Sequence, residues 1–240
     1  KCWEIRETRP ECVIFNQFEE FGNPTWHYHV TGSMIEEIFA GLPEGHRLAG
    51  YVSATGSAGT IGAGDRLRVN HTGVRVVATE ALQCPTLYQL GFGGHRIEGI
   101  GDKHVPWVHN VRNTDVVSAI DDGQCMALFR LFNEDAGQEH LAKSHSQEFV
   151  SQLPQLGISA ICNLIGAIKT AKHFEMDSRD VIFLCLTDGA ELYASRLEEL
   201  SAEHGPFSAN DAVYTRARYL DGTAVDHYRE LTYHDRKALH

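Results

Sequence analysis

Residues 53–64 read Ser-Ala-Thr-Gly-Ser-Ala-Gly-Thr-Ile-Gly-Ala-Gly, and this stretch decides the predicted fold. A short apolar strand pattern precedes it at Arg47 to Ser53, and a helical pattern follows from about Thr60 to Arg68. Gly62 and Gly64 fall inside that predicted helix, where each costs about 1 kcal/mol relative to alanine. Close packing of the helix against a strand would explain both glycines.

The same turn is a candidate phosphate site. After a strand and at the start of a helix, backbone N–H groups and the positive end of the helix converge on one point. Gly56 and Gly59 let the backbone approach an anion, while Ser57 and Thr60 can add hydroxyl donors. A tight turn that binds no ligand is the alternative, and the local sequence leaves it open.

The rest of the chain alternates predicted strands with predicted helices, which indicates an α/β protein with an open, mostly parallel twisted sheet and helices on both faces. Continuous apolar strands predict burial on both sides of the sheet. The polar stretch at about 133–152 is interpreted as a surface insertion, and the tail from 214 to 240 shows no clear period. The further strands are predicted at Gly73–Thr79, Asn113–Ile120 and Val181–Leu186, and the further helices at Ser33–Phe39, Gln124–Phe132, Ile158–Lys172 and Glu191–Glu203.

Composition excludes several classes of protein. The chain has 240 residues, 42% of them hydrophobic, and a formal net charge of -11, which is typical of a folded protein and argues against nucleic-acid or anionic-membrane partners. Its apolar runs have the length of strands, so no membrane span is predicted. The six cysteines form no CxxC pair, which favours a reducing cytoplasm and no structural zinc. His27 and His29 could share one face of a strand, but no third ligand accompanies them and no metal site is predicted.

The glycine spacing does not identify the phosphate ligand by itself. A dinucleotide site requires G-x-G-x-x-G, whereas Gly56, Gly59 and Gly62 are spaced as G-x-x-G-x-x-G, and no Walker lysine follows. Glu80 nevertheless ends the next predicted strand at the distance of a ribose-binding acid. A nicotinamide-dependent oxidoreductase therefore stays open at this point.

Five segments in order, over roughly residues 10–200, carry a resemblance to a known family. They are Asn16 to Pro24 with His27-Tyr28 and Thr31-Gly32, then Gly56-Ser57-Ala58-Gly59-Thr60, then Glu80-Ala81, then His95 to Gly101 with Val105-Pro106, and finally Gly157-Ile158-Ser159. Together they resemble the fold-type II pyridoxal-phosphate enzymes, specifically the cysteine synthase and cystathionine β-synthase group.

The resemblance implies a set of site residues. The family's phosphate cup corresponds to the run from Gly56 to Thr60, and its serine or threonine beside the pyridine nitrogen has no clear counterpart, since aligning on Tyr193 places Gly189 there. Thr187 is the preferred substitute and Asp188 the second. The stretch from Ala160 to Asn163 also departs from the small residues of the family. The implied substrate-side residues are Gln17, Gly99, Ile100 and Gly101.

The family's Schiff-base lysine motif is absent from the sequence. Six lysines are present, and Lys103, the nearest to a site-lining segment, is interpreted as a solvated loop charge. Because the chain starts at Lys1 and lacks that motif, we expect it to be an N-terminally shortened piece whose lysine lies upstream, inactive by itself. The expected organisation is the end of a small cofactor-capping domain at 1–25, a large domain at 26–210 and a C-terminal extension at 211–240.

The resemblance thus implies a lyase or synthase that carries out β-elimination or β-replacement on a serine- or cysteine-type amino acid through an aminoacrylate. Pyridoxal 5'-phosphate is the expected cofactor, a small amino acid the substrate and a homodimer the assembly. Two alternatives remain open. One is an NAD(P)-dependent oxidoreductase that uses residues 53–64 and Glu80, and the other is a cofactor-free binding module.

Overall fold

The computed structural model describes residues 1–239 as helices packed around one five-stranded sheet. The strands are β1 (Arg47–Ala54), β2 (Arg75–Ala81), β3 (Val116–Ile120), β4 (Asp180–Leu184) and β5 (Tyr228–Glu230). The helices are α1 (Cys2–Thr8), α2 (Gly22–His29), α3 (Thr31–Ala40), α4 (Gly62–Asn70), α5 (Thr86–Gln89), α6 (Asp122–Asn133), α7 (Asp135–Ala142), α8 (Gln147–Gln152), α9 (Ile158–His173), α10 (Ala194–His204), α11 (Ala209–Thr215) and α12 (Tyr233–Leu239).

The strands lie in the order β4-β1-β2-β3-β5. The first four are parallel, with Val52 opposite Val77 on one side and opposite Leu184 on the other. Only β5 runs antiparallel, against β3. The carboxyl ends of the four parallel strands therefore meet at one edge of the sheet, where ligands of open α/β folds bind.

Helices cover both faces of the sheet, as predicted. Successive residues of β1 point to opposite sides. Tyr51 packs with Ile35 of α3 and Leu67 of α4. Val52 packs on the other face with Ala167 of α9. The predicted fold class, a mostly parallel open sheet between two helical layers, is confirmed.

The prediction that the last apolar strand is buried on both faces is wrong. Every residue of β4 is only half-buried. Within residues 1–239, β4 pairs with β1 alone and forms an edge of the sheet. An apolar run indicates that its side chains favour burial. How far they are buried depends on which elements pack beside the strand.

Two other expectations change in the structure. The stretch at 133–152 is no surface insertion, because it forms α7 and α8 and buries Leu141 and Val150 in the largest apolar cluster. Two apolar residues at suitable spacing are enough to anchor short helices on a core. The tail without a clear period contains the last two residues of α11, a π-helical turn at Arg216–Asp221, β5 and α12. The division into a small domain, a large domain and an extension stays a prediction.

The segment with His27 and His29 is helix α2 and not a strand. Apolar periodicity gave no sign of this helix, since none of its residues is fully buried. It is held by tertiary packing against α4, described below. Within residues 1–239 no single helix has the length and hydropathy to cross a membrane. Two helical segments reach that length and hydropathy only when they are taken together. They are Gln147–Gln155 and Ile158–His173, with a bend of 115° between them.

Candidate cofactor-binding site

The glycine-rich turn joins β1 to α4 at the carboxyl edge of the sheet, and its N–H groups from Gly56 to Ile61 have no acceptor within residues 1–239. Within the part of the chain described, none of the six consecutive backbone N–H groups from Gly56 to Ile61 donates a hydrogen bond. Ala58 adopts a left-handed φ of 60°, which turns the backbone sharply at the centre of the loop. Ala58 and Gly59 are buried, so these free donors call for an anionic acceptor. We call residues 56–61 the phosphate cup.

The glycines that continue into α4 pack as predicted. A Cβ on Gly64 would lie 2.8 Å from Cγ1 of Val76 in β2, and one on Gly62 would lie 2.6 Å from the carbonyl oxygen of Pro24. These separations are shorter than van der Waals contact, so only glycine allows α4 to approach both β2 and α2. The prediction that close packing explains Gly62 and Gly64 is confirmed.

Side chains around the cup fix its shape. Tyr51 donates its hydroxyl to the Thr60 carbonyl at 2.7 Å, and the Thr60 hydroxyl lies 2.7 Å from that of Ser53. Asn23 of α2 donates its amide to the Ser57 hydroxyl at 3.3 Å. Sequence reasoning did not assign Asn23, although it stands in the Asn16 to Pro24 stretch that carries the family resemblance. Its contact with the cup depends on where α2 packs.

The predicted substrate loop meets the cup. Gly101 donates its N–H to the Thr55 carbonyl at 2.8 Å. A Cβ on Gly56 would lie 3.5 Å from the Gly101 nitrogen and 3.6 Å from Cα of Ile100. Gly99 and Gly101 both have left-handed φ values, 80° and 88°, that favour glycine. The structure therefore places this loop directly beside the cup.

The segment after β4 reaches the same edge. The Thr187 hydroxyl lies 2.9 Å from that of Ser159 at the start of α9. Asp188 accepts the Tyr193 hydroxyl at Oδ2, at 2.6 Å, while its buried Oδ1 has no partner among the described residues. Burial and the Asp188 carboxylate raise the pKa of Tyr193. Thr187 is exposed and paired with Ser159, and Asp188 is half-buried and paired with Tyr193 through one of its oxygens, so the preference for Thr187 over Asp188 stays a prediction.

Glu80 serves the fold at this edge. Its side chain is 2% exposed, and its two oxygens accept the N–H groups of Leu87 at 2.9 Å and Tyr88 at 2.8 Å. Burial raises the pKa of Glu80 to about 7, although the hydrogen bonds from these two N–H groups act in the opposite direction and lower it. A ribose-binding acid needs a free, accessible carboxylate, so the geometry removes the main support for the nicotinamide alternative.

The predicted substrate-side residue Gln17 and the six lysines have no hydrogen bond to the cup within the described structure. Gln17 is exposed in the turn before α2, and no hydrogen bond within residues 1–239 connects it to the cup. No hydrogen bond joins any of the six lysines to the cup within residues 1–239 either. Lys103 is exposed with its ammonium 5.5 Å from the Phe92 ring centroid, in agreement with the expected solvated loop charge. Lys169 is buried and bound to Asp226 on another part of the molecule.

Histidines and acids supply no metal centre in the described part of the chain. No group of three or more His, Cys, Asp or Glu side chains within residues 1–239 is placed to hold a metal ion. His27 lies 2.9 Å from the Thr31 hydroxyl, and burial lowers its pKa. This histidine thus holds α2 to α3.

Comparisons with known proteins show what the chain is similar to. No family model matches the chain. It is 32% identical over 198 residues to cysteine synthase B of Campylobacter jejuni, across 81% of this chain and 57% of that protein. It is 31% identical to O-ureido-L-serine synthase of Streptomyces lavendulae, across 75% of this chain and 49% of that protein. A hydrogen sulfide-producing enzyme from Fusobacterium nucleatum shares the fold, with a TM-score of 0.68 at 24% identity over 89% of this chain and 57% of that one.

In fold and sequence the chain is similar to the fold-type II pyridoxal-phosphate enzymes. Two curated matches at 30% identity or more are a cysteine synthase and O-ureido-L-serine synthase, in agreement with the resemblance to the cysteine synthase group that its sequence predicted. The chain spans about half the length of the curated relatives that it matches.

Proposed function

We propose that the whole protein carries out pyridoxal-phosphate-dependent β-elimination or β-replacement on a serine- or cysteine-type amino acid. The bound cofactor supplies the electron sink for loss of an α-proton and a β-substituent. The observation that carries the proposal is the phosphate cup, whose six N–H groups from Gly56 to Ile61 have no acceptor in the described chain. Relatives named cysteine synthase and O-ureido-L-serine synthase support the reaction class.

The residues present fit this cofactor. The cup N–H groups and the Ser57 hydroxyl hold the phosphate dianion, with the start of α4 adding its positive end. Thr187 presents a neutral hydroxyl for the ring nitrogen, which adds no negative charge beside the ring and suits elimination. Gly99 leaves room beside the cup for the amino group of the substrate, because a Cβ there would meet nothing within 4 Å, whereas the absent side chain of Gly101 makes room for His95.

The chain's own residues do not complete the reaction. A lysine is required to hold the cofactor and move the α-proton, and the described lysines lie away from the cup. We expect the whole protein to supply this lysine from residues outside these 240, so that the chain by itself binds without turnover. The expected assembly is a homodimer, which sedimentation equilibrium of the full-length protein measures.

A titration of the full-length protein with pyridoxal phosphate tests the proposal. We expect a visible absorption band that borohydride bleaches. Ser57→Asp places a carboxylate in the cup and weakens cofactor binding at least about tenfold. Ser151→Asp is the matched control, since Ser151 is exposed on α8 and the substitution adds the same charge. A colourless full-length protein that binds no pyridoxal phosphate, or equal binding by the two variants, would contradict the proposal.

A further inference from the structure

Asn163 has a buried side-chain amide and no role in the proposed function. It lies on α9 with 2% of its surface exposed. Its Nδ2 donates to the Cys185 carbonyl at 3.0 Å, and its Oδ1 accepts the Thr79 hydroxyl at 2.8 Å. The side chain therefore joins α9 both to β2 and to the first residue after β4.

The Thr79 end of this connection continues into the phosphate cup. The Thr79 carbonyl accepts the N–H of Thr55 at 2.9 Å, immediately before the cup. The Thr55 carbonyl in turn accepts the N–H of Gly101 at 2.8 Å, in the predicted substrate loop. Asn163 is thus linked through Thr79 to the base of both loops.

The Cys185 end continues into the segment that carries Thr187. The start of α9 holds this segment at two further points, since Gly157 donates its N–H to the Asp188 carbonyl at 2.9 Å and the Ser159 and Thr187 hydroxyls lie 2.9 Å apart. Of these contacts from α9, the one made by Asn163 also reaches the sheet. Asn163 therefore couples the position of the segment after β4 to the position of the phosphate cup.

The approach of α9 to the sheet makes this connection possible. A Cβ on Gly166 would lie 2.3 Å from Cγ2 of Thr79 and 3.1 Å from Cγ1 of Val52. Gly166 stands one turn after Asn163, so its missing side chain lets the helix come close enough for the amide to reach Thr79.

We propose that Asn163 is a positioning residue that sets the phosphate cup and the Thr187 segment at the separation needed to hold both ends of one cofactor. The inference rests on the proposed function, because that function requires simultaneous contact with a phosphate and a pyridine nitrogen. A residue that merely stabilised α9 would affect the whole helix and not the Cys185–Asp188 segment in particular.

The test uses the full-length protein with Asn163→Ala and Asn163→Leu, the second of which retains side-chain volume and so protects folding. Thr170→Val is the matched control, because Thr170 is also buried on α9 but bonds Gly166 and Tyr228 instead. Amide deuterium exchange needs no cofactor. We expect exchange at Gly157, whose N–H bonds the Asp188 carbonyl, and at Thr55, whose N–H bonds the Thr79 carbonyl, to rise about tenfold in both Asn163 variants and to stay unchanged in the control.

Cofactor titration supplies the second readout. We expect the dissociation constant for pyridoxal phosphate to rise about tenfold, with a shifted visible absorption maximum, in the Asn163 variants alone. Exchange at Gly157 and Thr55 that matches the Thr170→Val protein would overturn the inference, as would unchanged cofactor affinity and spectrum. A wild-type protein that binds no pyridoxal phosphate would refute the proposed function, while the exchange data would still decide whether Asn163 positions the segment.

Discussion

At the scale of single residues, glycine marks the places where two elements meet without room for a side chain. Gly166 brings α9 onto β2, and Gly64 brings α4 onto the opposite face of the same strand. Both stand inside helices, where intrinsic propensity disfavours them. Each of these glycines therefore indicates a close contact between a helix and the sheet. The sequence predicted this contact at Gly64, because Gly64 stands in the predicted helix at the end of the glycine-rich stretch.

Gly166→Ala should therefore destabilise the protein even though alanine is the better helix former. The added methyl group would meet Thr79 at 2.3 Å, and such overpacking costs about 2 kcal/mol. Gly22→Ala is the control, because a Cβ there meets nothing within 4 Å. Urea denaturation measures both, and an equal free energy of unfolding for the two variants would contradict the packing argument.

Glu80 is the second residue whose environment decides its chemistry. Burial raises its pKa from 4.5 to about 7, so the folded state holds the proton more tightly than the unfolded chain. Its contribution to stability is complete below about pH 4.5 and is lost as the pH rises to about 7. His109, fully buried, acts in the opposite direction, because burial lowers its pKa to about 4.

The difference between wild type and Glu80→Gln isolates the glutamate. We expect the wild type to lose roughly 3 kcal/mol relative to the variant between pH 4.5 and pH 7. Denaturant titrations at several pH values measure this difference, and Glu148→Gln, on the exposed surface of α8, serves as control. A difference that does not vary with pH would show that Glu80 titrates at its ordinary value in the fold.

At the scale of elements, a buried cation is among the contacts that join the C-terminal tail to the core. Lys169 of α9 is 2% exposed and donates to the Asp226 carboxylate at 2.7 Å and to its carbonyl at 2.8 Å. Two residues later the chain enters β5, which pairs with β3. The ion pair therefore holds the edge of the sheet to the helix beneath it.

Asp226→Ala should leave the Lys169 ammonium buried without its counter-charge and lower the free energy of unfolding by about 2 kcal/mol. This is less than for a fully buried pair, because Asp226 is largely exposed and its carbonyl remains. Lys169→Met removes the charge and should change stability by less than about 1 kcal/mol. In that background Asp226→Ala should have little effect, and additive losses in the double variant would exclude coupling.

The elements themselves could be predicted to different degrees. The four parallel strands were predicted within a few residues, because β-branched apolar runs reflect burial directly. Strand β5, at Tyr228–Glu230, was not predicted because three mostly polar residues carry no period. Helix α2 was not predicted because it buries no residue completely and is held by the glycine face of α4.

At the scale of the whole molecule, the sheet is asymmetric. Strands β1 and β2 are central and buried, whereas β4 is half-buried at one edge and β5 lies at the other. An apolar edge strand with unpaired backbone groups is open to pairing with another strand. Two kinds of strand could pair with that edge. One comes from a second copy in the predicted homodimer, and the other from the part of the relatives' length that this chain does not span.

Hydrogen exchange across the sheet measures how that edge is used in solution. In the 240-residue chain, backbone amides of β4 should exchange with solvent at least about a hundredfold faster than those of β2. Strand β4 pairs on one side only, and such a strand opens locally more easily. The 240-residue chain and the full-length protein should be compared. Equal protection of β4 and β2 in the 240-residue chain would contradict an open edge and indicate a strand-to-strand contact between copies.

The sequence by itself determined the fold class and the resemblance to the cysteine synthase group, and it predicted the phosphate cup. These follow from local patterns, since apolar runs, glycine spacing and the order of five motifs are all written along the chain. Only the tertiary structure decided that Glu80 is engaged with Leu87 and Tyr88, that Asn23 lies on the cup and that Asn163 joins β2 to the segment after β4. The physical reason is that a polar side chain acquires its role from its hydrogen-bond partners, and these partners are distant in sequence and adjacent only once the helices pack.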